Sequence, residues 1–446
     1  MASKKTESRR RRRVRTIDNF LSVDQRDYAF SVVTDRAIPS GCDGLVPSQR
    51  KVLKTAFDLW RNPSAKPVKV FQLAGQVASR TLYHHGDASL NGVIIRMAQA
   101  FRLGVPLLDG IGQFGDWGTP VAASPRYVSV RLNPKALPLF PDPQIVEYRE
   151  EEGTLTEPYF YLTAIPLMLC NGCVGIAVGY STRVLPRNPW EVAKACSEVL
   201  RYGKVKKADL RPYYAQWQGT WEQGNTPSQW RCSGVCERKG KDAVVRLAGY
   251  QHTYESFEKH LWGLADKGKI EGFESPRPGV YEVYGIEGTD NDPLQISCTL
   301  SENITCLGED NTLHTFPSAE EYLKWWVEWR LGWQERQRQA TIERLREEAS
   351  VASSKARFVQ LVCSGKIALK GQKRAELVAA MEKHKLEKYE EGYAHLLSMP
   401  ASSFTMETKE RLEKEQKEKE SRLAELLATT AKEMMLKQLS ALKGKI

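Results

Sequence analysis

The sequence predicts a multidomain α+β protein. It reads as helices with a small hairpin first, a mixed α/β domain next, and long helices last. Three observations predict this. Apolar residues in the first third recur at helical spacing between glycine-rich loops. Short strand-like runs occupy the middle. From Ser318 onward Trp, Arg, Glu and Lys crowd into long helical stretches. The 446 residues suffice for two to four domains.

Residues 1–17 are expected to be a disordered basic tail. The first fifteen hold eight Lys or Arg against one Glu, too polar to pack. Much of the net charge of +11 therefore sits in the tail and says little about the body. The tail could attract nucleic acid, act as an address, or aid solubility. No apolar signal segment follows it, and no run of about 18 apolar residues exists to span a membrane. Nine cysteines, odd in number and irregularly spaced, suit reduced thiols. Cys170-x-x-Cys173 and Cys232-x-x-x-Cys236 resemble zinc half-sites without the second pair of ligands. The protein is expected to be cytoplasmic, not secreted.

Residues 18–140 are the first folded domain. Arg50–Trp60 carries an apolar stripe of Val52, Leu53, Ala56, Phe57 and Trp60, with Arg50, Lys51 and Lys54 on the other side. Ser89–Arg102 is a second helix, then glycines 104, 110, 112, 115 and 118 mark a loop, and Ser124–Leu132 alternates like a strand. Helices followed by a hairpin suggest a winged-helix domain. Pro134–Glu157, proline-rich and acidic, reads as a linker into a mixed domain at 141–317, with strands near 244–248, 279–285 and 295–300. In 318–446, Glu320–Glu348 is a long helix, Ser364–Lys385 a helical pair and Thr405–Leu442 a last long helix. Together they suggest an antiparallel coiled coil with a small bundle.

The segment Ser124-Pro-Arg-Tyr127, after Gly112-Gln-Phe-Gly115, carries candidate chemistry. Any one of 17 tyrosines is more often a packing residue. A phenol ionises near about pH 10 and only its phenolate attacks. Arg126 beside it would favour the phenolate and neutralise phosphate oxygens. A phosphotyrosine ester stores the energy of the broken phosphodiester, so such a break is reversible without ATP.

Around this tyrosine the chain resembles the breakage–reunion subunits of type II DNA topoisomerases. That family takes in the gyrase A and topoisomerase IV C subunits, the C-terminal half of the eukaryotic enzyme and the medium subunit of T4-type phages. Four segments carry the resemblance in order: Asp35-Arg-Ala-Ile-Pro-Ser-Gly-Cys-Asp-Gly-Leu-Val-Pro-Ser-Gln-Arg-Lys-Val-Leu53, Tyr83-His-His-Gly-Asp-Ala-Ser-Leu90, Gly112 through Tyr127, and Asn171-Gly-Cys-Val-Gly-Ile-Ala-Val-Gly-Tyr-Ser-Thr182. His395-Leu-Leu-Ser-Met-Pro400 followed by the charged run 409–420 resembles the helix returning to the C-terminal gate.

The resemblance implies a winged-helix cleavage domain with Tyr127, a mixed α/β tower domain, and a coiled coil ending in a helical dimerisation gate. It implies Arg36 at the scissile phosphate, Arg50 and Lys51 on a helix holding phosphates, and His84, His85 and Ser124 along the backbone near the cut. Ile176 becomes a wedge between base steps. No G-x-x-x-x-G-K-[ST] loop and no ATPase-sized region is present, and Asp290-Asn-Asp292 reads as a turn. A separate large subunit is therefore expected to bring ATP and Mg²⁺, with no metal site in this chain. Two copies should pair on double-stranded DNA, in the cytoplasm of a phage-infected bacterium. The implied activity is relaxation and decatenation, without supercoiling. A non-catalytic DNA-binding protein on the same scaffold is one rival. A tyrosine recombinase is the other, although such enzymes carry the tyrosine near the chain end.

Overall fold

The computed structural model describes residues 17, 20–60, 66–288, 292–369, 372–389 and 392–446. Residues 1–16 of the basic tail and residues 290–291 of the Asp-Asn-Asp turn lie outside them. The chain forms two compact units: residues 1–141, 146–327 and 442–446 make the first, residues 142–145 and 328–441 the second.

In the first unit α1 (Arg26–Val32) leads through a π-helical turn at Val33–Ala37 into α2 (Pro47–Leu59). Pro47 presets the first turn of α2, and Gln49 accepts from the Val46 backbone N–H at 3.0 Å. Val52, Leu53 and Ala56 bury one face. β1 (Val68–Lys69) precedes α3 (Val70–Thr81), whose Val70, Leu73, Ala74 and Val77 are buried, and which stops at Leu82 in the left-handed region. In α4 (Asp87–Ala98) Leu90, Ile94 and Met97 pack inward. β2 (Leu108–Ile111) and β3 (Ser129–Leu132) complete an antiparallel sheet ordered β1-β3-β2, with Val68 opposite Val130 and Ile111 opposite Ser129. The strand expected at 124–132 thus begins only at Ser129, and the SPRY segment is a turn.

The expected linker is folded. A 3-10 turn at Pro134–Leu139 is followed by the hairpin of β4 (Tyr148–Glu151) and β5 (Thr154–Pro158). Phe140 and Tyr161 pack edge-to-face with each other and with Phe57 of α2, at 5.3–5.7 Å between rings. The acids that suggested solvent are partly structural, since Glu157 is buried.

α5 (Leu167–Asn171) leads into a hairpin of β6 (Cys173–Ile176) and β7 (Ser181–Val184). α6 (Pro189–Tyr202) follows, capped by the Asn188 side chain and ended by Gly203. Two further sheets follow. β8 (Thr220–Gln223), β9 (Gln229–Ser233) and β14 (Ser297–Ser301) pair in the order β14-β9-β8. β10 (Val235–Lys239), β11 (Asp242–Leu247), β12 (Gly272–Arg277) and β13 (Val280–Tyr284) pair as β10-β11-β13-β12. α7 (Tyr254–Asp266) sets Phe257, Leu261 and Leu264 against Val245, Tyr281 and Val283. Arg187 and Glu302, both 1% exposed, form a bidentate pair at 2.6 and 2.7 Å, and Trp230 donates to the same carboxylate. β15 (Ile304–Leu307) and β16 (Leu313–Phe316) form a last hairpin.

α8 (Ala319–Cys363) starts in the first unit, where Tyr322 donates to Gly41 O at 2.7 Å and Trp326 to Cys42 O at 2.9 Å. In the second unit it runs antiparallel to α11 (Met406–Ala428). Arg338 reaches Leu426 O, Glu348 pairs with Lys419, and Val359 packs on Leu412. Between them α9 (Arg374–Lys383) and α10 (Ala394–Leu397) close a small core around Phe358, Met381 and Leu396. Ser364–Lys385 therefore holds one described helix where a pair was expected. The last helix is also divided: Thr429 is extended, and α12 (Ala431–Ala441) begins anew with Thr430 bonding Glu433. No helix among the described residues is long and apolar enough to cross a membrane.

Candidate active site

Tyr127 closes a tight turn, its N–H donating to Ser124 O at 2.9 Å. The residue is 70% exposed. Its neighbour Val128 is buried and accepts from Val70 N–H at 3.1 Å. Lys69 Nζ donates to Tyr127 O at 2.9 Å. The backbone is thus pinned on both sides while the phenol stands in solvent. Ser124 and Arg126 are exposed too, and among the described residues Arg126 makes no ion pair. The loop before the turn is also held. The buried Gln99 amide donates to Phe114 O at 2.9 Å and Pro120 O at 3.1 Å. Ala123 N–H donates to Gln113 O at 2.9 Å. Gly112 and Gly115 take φ of +111° and +84°, where a side chain would be strained.

A cleft of about 1690 Å³ runs through the first unit. It is lined by Arg36, Lys51, His84, His85 and Ile176, and by the acids Glu151 and Glu157. Ser124, Arg126 and Tyr127 do not line it. Arg36 is exposed and, among the described residues, without an ion pair, while its neighbour Asp35 is taken by Arg149 at 3.1 Å. His84 Nε2 lies 2.9 Å from Glu151 Oε1, and the exposed His85 packs edge-on against Tyr83 at 5.4 Å.

Arg50 and Lys51 stand differently from the expectation. Arg50 is 3% exposed and doubly bonded to Asp43, at 2.7 and 3.1 Å, with a third bond to Leu45 O. Asp43 also accepts from the backbones of Leu45 and Tyr161. All of this holds the 40–46 loop and leaves little of the Arg50 guanidinium for a phosphate. Lys51 is paired to buried Glu157 at 2.8 Å, approaches Glu151 at 3.7 Å and donates to Thr81 O at 2.5 Å. Although Lys51 lines the cleft, a phosphate there would compete with Glu157 for its ammonium.

Ile176 is 81% exposed on the β6–β7 hairpin, and Val174 on the same face is 76% exposed. Two bare apolar side chains on one strand face are unusual unless something else covers them. Gly175 between them packs so closely that a Cβ there would lie 2.0 Å from Ala37 O, the residue after Arg36. Nothing in the sequence singles out Lys69, Gln99 or Glu157. Lys69 is one cation among many, and the partners of the other two are set by loop geometry.

A family model described as the A subunit of DNA gyrase/topoisomerase IV matches residues 36–278 and 288–442. The chain belongs to this family. The medium subunit of the DNA topoisomerase of Enterobacteria phage T4 is 28% identical, over 91% of this chain and 93% of its own length. DNA topoisomerase 2 of Crithidia fasciculata is 30% identical over 96% of this chain and 36% of its own length. The mitochondrial DNA topoisomerase 2 of Dictyostelium discoideum is 28% identical, over 96% and 35%. The chain thus spans little more than a third of those two relatives. The mixed α+β fold matches a solved Plasmodium falciparum topoisomerase II DNA-binding, cleavage and re-ligation domain with a TM-score of 0.81 at 26% identity. That match covers 93% of this chain and 62% of the other.

Proposed function

We propose that this chain is the DNA-cleaving and rejoining component of a type II DNA topoisomerase, with Tyr127 as the nucleophile. The observation that carries the reading is the fixed turn that offers an exposed tyrosine beside an exposed arginine with no ion pair among the described residues, in a chain of this family. Tyr127 attacks a backbone phosphorus, its Oη forming the new P–O bond while the P–O3′ bond breaks. A 5′-phosphotyrosine ester and a free 3′ hydroxyl result. The hydroxyl later attacks the ester and restores the strand. Arg126 and Arg36 stabilise charge on the phosphate oxygens, while Ser124, His84 and His85 contact the backbone. Ile176 wedges between base steps.

In this reading residues 18–140 are a winged-helix domain, 141–317 a tower and 318–446 a coiled coil with a dimerisation gate. Two copies act together, each cutting one strand. Arg36 lines the cleft and Tyr127 does not, which supports a site completed by other chains. Among the described residues no three of His, Cys, Asp and Glu gather as a metal site. Mg²⁺ and ATP belong to a separate large subunit in this reading, and no step of this chain runs through them. The reconstituted enzyme relaxes and decatenates DNA in the host cytoplasm and does not supercoil it.

The test is cleavage of supercoiled plasmid with Mg²⁺ and the large subunit, stopped with detergent. Linear DNA with protein on its 5′ ends, absent in Tyr127→Phe, is the expected result. No covalent product from the wild-type complex would turn the reading toward a DNA-binding scaffold.

A further inference from the structure

We propose that Trp117 is a positioning residue for Tyr127, docking the loop that leads to the tyrosine onto an aromatic nest in the strand-rich layer. The inference rests on the function proposed above. The loop from Gly112 to Ala123 contains three glycines, so its unrestrained backbone has much freedom to lose. Two consecutive residues take that freedom away. The Trp117 ring lies 5.0 Å from Tyr250, 5.1 Å from Tyr214 and 6.4 Å from Trp217. The Trp117 backbone N–H donates to Gln216 Oε1 at 3.2 Å. Gly118 O accepts from Tyr254 N–H at 3.0 Å, and a Cβ on Gly118 would fall 2.1 Å from the Tyr254 ring.

The nest is itself rigid. Tyr214 and Tyr250 share a hydroxyl–hydroxyl bond of 2.7 Å, and the buried Trp217 and Trp221 pack edge-on behind them at 5.3 Å. The loop therefore has one foot at the end of α4 through Gln99 and the other on this nest. Its far end runs straight into Ser124-Pro-Arg-Tyr127. An in-line attack tolerates little displacement of the nucleophile, and a shift of about 1 Å costs on the order of 10²-fold in rate.

The experiment has two arms. Hydrogen–deuterium exchange of the full chain alone follows the peptide covering 112–127 in wild type, Trp117→Ala, Trp117→Phe and Gly118→Ala. Single-turnover cleavage by the reconstituted enzyme, at saturating DNA, follows the same four proteins. Trp117→Ala should expose the loop to faster exchange and slow cleavage by about 10²-fold with DNA affinity unchanged. Trp117→Phe should restore most of both. Gly118→Ala removes no core side chain, so it keeps the test open if Trp117→Ala does not fold, and it should reproduce the slow cleavage. Unchanged loop exchange in Trp117→Ala and Gly118→Ala, or unchanged cleavage with a mobile loop, overturns the inference. A fall in DNA affinity with intact cleavage at saturation also overturns it. Absence of covalent product in the wild type sinks the proposed function and with it the role toward Tyr127, while the exchange arm still decides whether Trp117 docks the loop.

Discussion

Arg36 and Arg50 belong to one sequence motif and to one stretch of chain, yet the fold treats them as opposites. Arg36 stands in solvent at the rim of the cleft with no ion pair among the described residues. Arg50 is sealed against Asp43, which in turn ties down two backbone N–H groups. The same division separates exposed Arg126 from Lys51, whose ammonium is committed to Glu157. A cation is available to a phosphate only where the fold has not spent it on a carboxylate. In the proposed function the outer layer meets DNA, while the inner layer holds the outer one in place.

Substitutions in the two layers should separate cleanly. Tyr127→Phe, in the outer layer, should abolish covalent DNA attachment with an unchanged denaturation curve. A residual adduct would assign the nucleophile elsewhere. Arg50→Ala, in the inner layer, leaves Asp43 buried and unpaired and should cost about 3–5 kcal/mol of stability, read by denaturant melting. If it melts normally and only weakens DNA binding, the division between layers fails. Arg36→Ala should slow cleavage by roughly 10²- to 10³-fold. It should also lower the slope of log affinity against log salt by about one, at a stability cost within about 0.5 kcal/mol. Ile176→Ala is the smallest effect. Folding is untouched, and the bend angle of bound DNA, measured by energy transfer between end labels, should fall.

The outer-layer residues can be named from the sequence because they sit in short contiguous motifs, and the structure leaves Tyr127, Arg126, Arg36 and Ile176 exposed. The inner layer was not legible in this way. Arg50 falls opposite the apolar stripe of its helix and looks solvated, and only the path of the 40–46 loop brings Asp43 beneath it. The acidic run before Glu157 looked like a linker because a buried carboxylate is unreadable without its lysine. The Arg187–Glu302 pair joins residues too far apart in the chain for any pattern to reveal. The break at Thr429 was missed for a different reason: the charged helix before it and the apolar one after it share a period, and only the local bond of Thr430 to Glu433 marks the restart.

If the proposed function holds, the contact of Gly175 with the backbone of Ala37 has a consequence for which DNA is cut. The segment bearing Ile176 and the segment bearing Arg36 touch main chain to main chain, with no side chain between them to act as a cushion. A duplex too stiff to admit the apolar residue would hold its phosphate away from the arginine as well. In the proposed function, selection among sites would then operate through the mechanical compliance of the base steps. Maps of cut sites should accordingly favour soft pyrimidine–purine steps and avoid rigid A-tracts, whatever the surrounding sequence spells.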